Sequence, residues 1–434
     1  MFEKIGEGTY GCVHRPSLKC KGKKKVDYNN TVSKIMLKDD AAKEMREFML
    51  VSRFDKDNEY HLGTPVECAP DLASQEQLEA VEKCSIGKEI GENPDKYRLL
   101  VLKNGGYDLD KFFSKITELW KSLKTKRALR AEAEHFWVAV HKLFRGLDFF
   151  HRKGIVHFDL KPQNIVYNMD THDMNFIDFG LMDSKPNILR QARRSQLGSL
   201  FHWSYPLDCG FLEEDNFRYF KKVGPIIRLS IGNHLADMIL TGQKDDGYIY
   251  RDMRHPSAYE IFFAYISPDQ KAHDSEINMY VSTFTNWMNQ VADRVSYEEF
   301  ADQAVDFIDI FGLGFSLQYA LDTMRMKFPG SMSEDFYNDA TALFKTMYTA
   351  DMGAREYSTA VLLENYEALL RKHGFHADKK TTTMTTRNRN ITINKTRRGS
   401  PISEAMRSFA HEDPPHAKNK RKKGGSKTRR RQKR

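Results

Sequence analysis

Residues 155 to 164, "IVHFDLKPQN", place Asp159, Lys161 and Asn164 within six positions, beside Pro162, which forbids a regular helix. Downstream, "NFIDFGLMD" adds Asp178 before Phe179 and Gly180. A carboxylate and an amide oxygen, Asp178 and Asn164, are the hard donors that Mg²⁺ prefers, completed by substrate phosphates. Lys161 suits a transferring phosphoryl group, and Asp159 is left to orient an attacking hydroxyl. Read singly, each has a plainer explanation: DFG is a common turn, and His157 is more often a packed core histidine than a ligand. The order and spacing together carry the argument.

A second group lies near the N-terminus. "IGEGTYGCV" sets Gly6, Gly8 and Gly11 in a GxGxxG spacing, which a dinucleotide-binding turn also uses. That turn leads into a helix, whereas Cys12 and Val13 here read as a returning strand, so a Gly-rich hairpin whose amides approach phosphate is expected. Lys34 sits in the apolar strand "TVSKIML" and needs a partner if it faces inward. Glu47 on the following charged stretch is the preferred partner, with Glu44 one turn earlier as its competitor.

The elements that must position these groups follow from periodicity. Residues 1–15 and 30–37 read as strands around a turn, "DAAKEMREFMLVSRF" (40–54) as a helix and "YRLLVLK" (97–103) as another strand, while 55–96 stays unresolved. "RAEAEHFWVAVHKLFRGLDFFHRKG" has helical spacing and stops at Gly154, and helix dominates from there to about residue 375. No apolar run is expected to approach the roughly 20 residues of a membrane helix, and "MFEKIGEGTY" has no signal-peptide core. An intracellular protein, cytoplasmic or nuclear, is the expectation. The five cysteines, 12, 20, 68, 84 and 209, form no CxxC pair and read as reduced, structural thiols.

The 434 residues carry a net charge of +9, and 40% are apolar. The segment 377–434 holds 19 Lys plus Arg against 4 Asp plus Glu, a net of +15, so the remainder is at −6. Such a tail cannot bury enough surface to fold, and disorder is expected for 376–434. Its cations suit sequence-blind binding of nucleic-acid phosphates, a nuclear address or a tether to acidic partners; a solubilising appendage is the plainer alternative.

With these motifs in this order, residues 1 to 372 resemble the eukaryotic-type protein kinases. The resemblance implies an α+β, two-lobed fold: a small antiparallel β-rich N-lobe with one helix (1–103), a larger α-helical C-lobe (104–375), then the tail. It implies ATP and Mg²⁺ as cofactors and protein substrates. Gly6, Gly8, Gly11 and Val13 would cover the ATP phosphates, and Lys34 would be the strand lysine. "REFMLVSRF" resembles the helix that carries its Glu, which favours Glu47. Lys103 to Gly105 would meet adenine through backbone groups, and Asp108 the ribose. Asp159 would be the base or positioning carboxylate beside Lys161, Asn164 and Asp178 the metal ligands, and Asp309 the tie beneath the catalytic loop. Lys161 favours Ser/Thr substrates by the same resemblance, and Ser199 resembles the small hydroxyl residue near the catalytic Asp.

Three departures stand out. Phe158 replaces the Arg that normally pairs with an activation-loop phosphate, which argues against such control although Ser184, Ser195 and Ser199 are available. "WSYPLD" keeps Pro206 but puts Leu207 where a Glu is usual, leaving Asp208 to meet Arg355. An insertion of roughly 209–300 contains helical stretches expected to fold against the large lobe, in a substrate, partner or packing role. The tail is similar in composition to tails of kinases encoded by large DNA viruses of eukaryotes, which would imply a host cell or virion. Two rivals remain: a pseudokinase-like scaffold using insertion and tail, and a small-molecule kinase, for which "GEGTYG" together with "HFDLKPQN" is not expected.

Overall fold

The structure is a computed structural model and describes residues 2–8, 11–22, 26–197, 202–241, 259–266 and 273–375. The tail 376–434, Ser199 and parts of the insertion lie outside these residues.

The chain opens with β1 (Glu3–Gly8), β2 (Gly11–Arg15), β3 (Thr31–Leu37), α1 (Lys38–Phe54), β4 (Val66–Cys68), α2 (Gln75–Glu82), α3 (Gly87–Glu92) and β5 (Tyr97–Lys103). The strands form one antiparallel sheet in the order β1-β2-β3-β5-β4. Alternation on β5 divides its two faces. Tyr97, Leu99 and Val101 pack with Ile35, Ala80, Val81 and Ile90 under α2 and α3. Leu100 packs with Met36 and Ala41 under α1. Lys34 shares the Met36 face, so it points toward α1.

Two expectations are corrected here. Among the described residues this half carries three α-helices where one was expected: α2 and α3 span only 8 and 6 residues, too short for a periodic signal, yet they cover the outer face of the sheet. The cysteines are not all reduced either. Cys12 is bonded to Cys84 and Cys20 to Cys68, while Cys209 is free and buried. Partners 72 and 48 residues apart leave no local spacing to read, and the sheet brings them together.

The rest of the described chain is mainly helical. It runs through β6 (Tyr107–Asp108), α4 (Leu109–Leu119), α5 (Lys126–Arg152), β7 (Ile155–Val156), β8 (Ile165–Asn168), β9 (Asp173–Phe176), β10 (Asp183–Ser184) and α6 (Lys185–Arg193). Then come α7 (Glu214–Lys222), α8 (Pro225–Thr241), α9 (Tyr259–Ile266), α10 (His273–Arg294), α11 (Tyr297–Lys327), α12 (Glu334–Tyr348) and α13 (Thr359–Lys372). β6, β8 and β9 form a small sheet, and β7 pairs with β10.

Helix α11 is the axis of this half, started by a capping box between Ser296 and Glu299. Against the expectation for apolar runs, it is long and apolar enough to cross a membrane by length and composition; 89% of its apolar window is buried inside the protein, as befits a core helix. Two of the inserted helices pack onto it as expected: Phe217 of α7 stacks on Phe300 at 4.8 Å and Phe262 of α9 on Phe311 at 5.2 Å, while Tyr280 of α10 donates to the carbonyl of Tyr348 at the end of α12 at 2.9 Å.

The halves meet where α1 ends. Phe176 N donates to the Tyr60 carbonyl at 3.0 Å, and the Arg145 guanidinium lies 2.6 Å from the Glu59 carboxylate. Gly146 allows this approach, since a Cβ there would stand 2.7 Å from the Phe176 ring and 2.9 Å from that of Tyr60.

Candidate active site

The turn after β7 is fixed from below. Backbone N–H groups of His157 and Phe158 donate to the two carboxylate oxygens of Asp309 at 2.6 and 2.9 Å. Burial pushes the Asp309 carboxyl up, opposed by His157 and by these two hydrogen bonds. Held this way, Phe158 adopts φ +65°, a left-handed conformation unusual for a bulky residue and tolerated where surrounding contacts over-determine it. Its ring is buried against Tyr205, whose hydroxyl donates to the Phe158 carbonyl at 2.8 Å. An aromatic wedge thus occupies the position at which a phosphate-binding cation was expected to be missing.

This turn presents the polar cluster. Lys161 Nζ donates to both Asp159 carboxylate oxygens at 2.8 and 2.9 Å, and Asn164 Nδ2 to Asp159 Oδ2 at 2.8 Å. The amide nitrogen of Asn164 is spent on Asp159, so Oδ1 is the atom left for a cation. Ile177 N donates to the Asn164 carbonyl at 3.0 Å and brings Asp178 alongside. Asp178 has φ +62° and an exposed carboxylate that has no hydrogen bond or ion pair among the described residues. Free hard oxygens on Asp178 and Asn164 fit a Mg²⁺ ion. Phe179 turns the opposite way, into a stack with His157 at 5.1 Å, Phe48 of α1 at 6.1 Å and His61 at 6.0 Å.

From above, Lys34 reaches α1. Its Nζ lies 2.5 Å from Glu44, not from the preferred Glu47. The reason is the connection: α1 begins at Lys38, directly after β3, so its first full turns lie beside Lys34 and Glu44 arrives first. Glu47, one turn on, faces the Asp178 segment, and a Cβ on Gly180 would stand 3.6 Å from Glu47 Oε2 and 3.3 Å from Asp178 Oδ1. Burial raises the Glu47 pKa; Glu44 and Asp178 add to this, against Lys43 and Lys34.

The Gly-rich stretch is the β1–β2 hairpin, with Gly8 opposite Gly11 as its last pair and residues 9–10 outside the described residues. Gly11 must lack a side chain, because a Cβ would sit 2.6 Å from the Ile35 carbonyl. Gly6 pairs with Val13, and Val13 with Lys34, so the hairpin is in register with the lysine. At the link between the halves, Lys103 ends β5 and Gly105 packs against Val166 and Leu62. Gly106 has φ +88° and no room for a Cβ beside the Tyr167 carbonyl. Asp108, expected at a ribose, caps α4 through Lys111 N at 2.8 Å and pairs with Lys111 Nζ at 2.9 Å.

Several neighbours of the cluster escaped sequence reading. The His202 ring lies 5.8 Å from that of Tyr205, which bonds to Phe158, and burial and then Lys161 lower the His202 pKa. Gln163 donates to the Tyr265 hydroxyl at 2.7 Å, and Tyr265 donates to Asp110 at 2.8 Å, so inserted helix α9 touches the Asp159–Asn164 turn itself. No periodic or motif signal marks a tyrosine 102 residues away from its partner. The anticipated meeting of Asp208 with Arg355 does occur, at 3.0 Å, with both side chains buried. Burial opposes the Arg355 charge, and Asp208 together with Tyr357 and Tyr280 offsets it, leaving the guanidinium pKa above its ordinary value. Removing either partner would strand the other, at a cost of about 3–5 kcal/mol.

Residues 111–196 match the family model described as "Protein kinase domain". That span holds Asp159, Lys161, Asn164 and Asp178. Among curated proteins, the chain is 38% identical over 55 residues to mitogen-activated protein kinase p38b of Drosophila melanogaster, covering 13% of this chain and 15% of that protein. It is 37% identical over 65 residues to mitogen-activated protein kinase mpk-1 of Caenorhabditis elegans, covering 15% and 14%. The matched part thus spans about one seventh of the length of these relatives.

Proposed function

We propose that this chain is a protein kinase that transfers the γ-phosphoryl group of ATP to serine and threonine hydroxyls of protein substrates. The observation that carries the reading is the Asp159 carboxylate, gripped by Lys161 and Asn164 on a turn anchored to Asp309, with the free Asp178 carboxylate beside it. Preorganised donors and a fixed acceptor suit a reaction in which positioning and charge neutralisation do most of the catalytic work.

In this reading an Asp159 oxygen accepts the hydrogen bond of the substrate hydroxyl and directs its lone pair at the γ-phosphorus. Lys161 moves from Asp159 toward the transferring phosphoryl oxygens. Asn164 Oδ1 and the Asp178 carboxylate would hold Mg²⁺, which when bound neutralises phosphate charge. Lys34, fixed by Glu44, meets the nucleotide phosphates under the β1–β2 hairpin. Ser/Thr preference is supported by Lys161 and by the names of the relatives.

The tail is proposed to add salt-dependent contacts to nucleic acid or another acidic partner inside the cell; its likeness to viral kinase tails rests on composition alone. The test of the main reading is radiolabel transfer from γ-labelled ATP to a generic basic protein, followed by phosphoamino-acid analysis. Asp159→Asn should lower the rate by about 10²–10⁴-fold. Equal transfer by wild type and variant would sink the assignment, and label on tyrosine would sink the substrate class.

A further inference from the structure

A second cluster of ligand-type side chains lies away from Asp159, at the turn between β8 and β9. Glu132 and His135 are one helical turn apart on α5, and His172 sits on the β8–β9 turn at φ +50°. His135 Nδ1 is 3.8 Å from Glu132 Oε2, and His172 Nδ1 is 3.8 Å from Glu132 Oε1. The two imidazole rings face each other with centroids 4.1 Å apart. One donor atom from each of the three residues lies within 4.8 Å of the others.

These separations are too long for hydrogen bonds. The Glu132 side chain is only 13% exposed, yet its nearest hydrogen-bond donor is the Tyr167 hydroxyl, at 3.4 Å. A sheltered carboxylate beside two imidazoles that do not bond to it is an expensive arrangement. It is close to what a shared cation needs. Bonds of about 2.0–2.2 Å from zinc to imidazole nitrogen and carboxylate oxygen set neighbouring ligand atoms roughly 3.3–3.6 Å apart in a tetrahedron. The two 3.8 Å separations need shifts of a few tenths of an ångström and the widest donor pair, within 4.8 Å, about an ångström more, which a rotation of the half-exposed His135 side chain supplies.

We infer that Glu132, His135 and His172 form a binding site for a divalent ion of the zinc class, its fourth position open to water. Two imidazoles and a carboxylate favour such an ion over Mg²⁺. Tyr167 lies 3.0 Å from His172 Nδ1 and 3.4 Å from Glu132 Oε1. Once the His172 lone pair is taken by the ion, the Tyr167 proton turns to Glu132 and orients that ligand from outside. The ion ties α5 to the β8–β9 hairpin. That hairpin runs from Asn164 at one end to the approach to Asp178 at the other, so the ion braces the strands that carry both.

The test is calorimetric titration of the full chain with ZnCl₂ under millimolar Mg²⁺, comparing wild type with His135→Ala, His172→Ala and Glu132→Gln. Zinc sites elsewhere in the chain cancel in the comparison. Wild type should bind one equivalent that each variant loses or binds at least tenfold more weakly, and zinc should raise the melting temperature of wild type more than that of His135→Ala. Asp178→Asn should keep that equivalent, separating it from the catalytic turn. His135 is half-exposed on a helix surface, so its Ala variant should melt like wild type without zinc. Equal stoichiometry and affinity across wild type, His135→Ala and His172→Ala would overturn the site.

Discussion

The side-chain amide of Gln163 donates to the hydroxyl of Tyr265 at 2.7 Å, joining an inserted helix to the residue between Pro162 and Asn164. Tyr265 also donates to Asp110 and stacks on Trp203 at 5.4 Å, so the hydroxyl is held from both sides. Tyr265→Phe keeps the ring and removes both hydrogen bonds, each worth about 1 kcal/mol. We expect kcat to fall about three- to tenfold while KM for ATP changes less than about twofold. An unchanged kcat would assign α9 to packing alone.

The Lys34–Glu44 pair predicts which acid matters to nucleotide binding. Glu44→Gln should release Lys34 and raise KM for ATP by about tenfold or more, because a charge-assisted bond contributes roughly 1.5–3 kcal/mol. Glu47→Gln should leave KM for ATP nearer to wild type. The reverse ranking would mean that Lys34 changes partner when nucleotide binds.

Two cross-links in the sheet half predict redox-dependent stability. Closing loops of 72 and 48 residues is worth about 4 kcal/mol each in the chain-entropy account, an upper figure for measured cases. Dithiothreitol should lower the melting temperature by several degrees, and a Cys12→Ser, Cys84→Ser double variant should start lower and respond less. Intact mass after alkylation without reductant should show at most one modified thiol. Two or more would contradict the pairing.

His151 predicts a pH effect. Its hydrogen bond to Asp306, 3.3 Å away, raises its pKa in the folded protein, against desolvation. A folded value above the unfolded value of about 6.5 means that this stabilisation is complete below about pH 6.5 and fades as pH rises through the folded value. The pair is partly exposed, so it is worth no more than about 1 kcal/mol. His151→Gln should therefore lose more stability in urea at pH 6 than at pH 8.5; an equal loss would show that the charge is not involved.

Much of this site was legible because its residues are local: Asp159, Lys161 and Asn164 lie within six positions, and a turn brings such residues together whatever surrounds it. Strands β3 and β5 and helix α1 announced themselves through length and period. What stayed hidden depended on distance or brevity. The choice between Glu44 and Glu47 turns on how tightly α1 follows β3, which period cannot reveal. The disulfides, Tyr265 and the His135–His172 pairing join segments that only the folded chain makes neighbours.

The buried Asp208–Arg355 ion pair, whose members stand 147 residues apart, closes the chain on itself around everything from α7 to α12. Because closing a loop costs only slightly more as it lengthens, chain can be gained or lost inside that clasp while both ends keep their places. The insertion lies wholly within it. Length can therefore change inside the insertion without opening the clasp, so long as Tyr265 keeps its place beside Gln163.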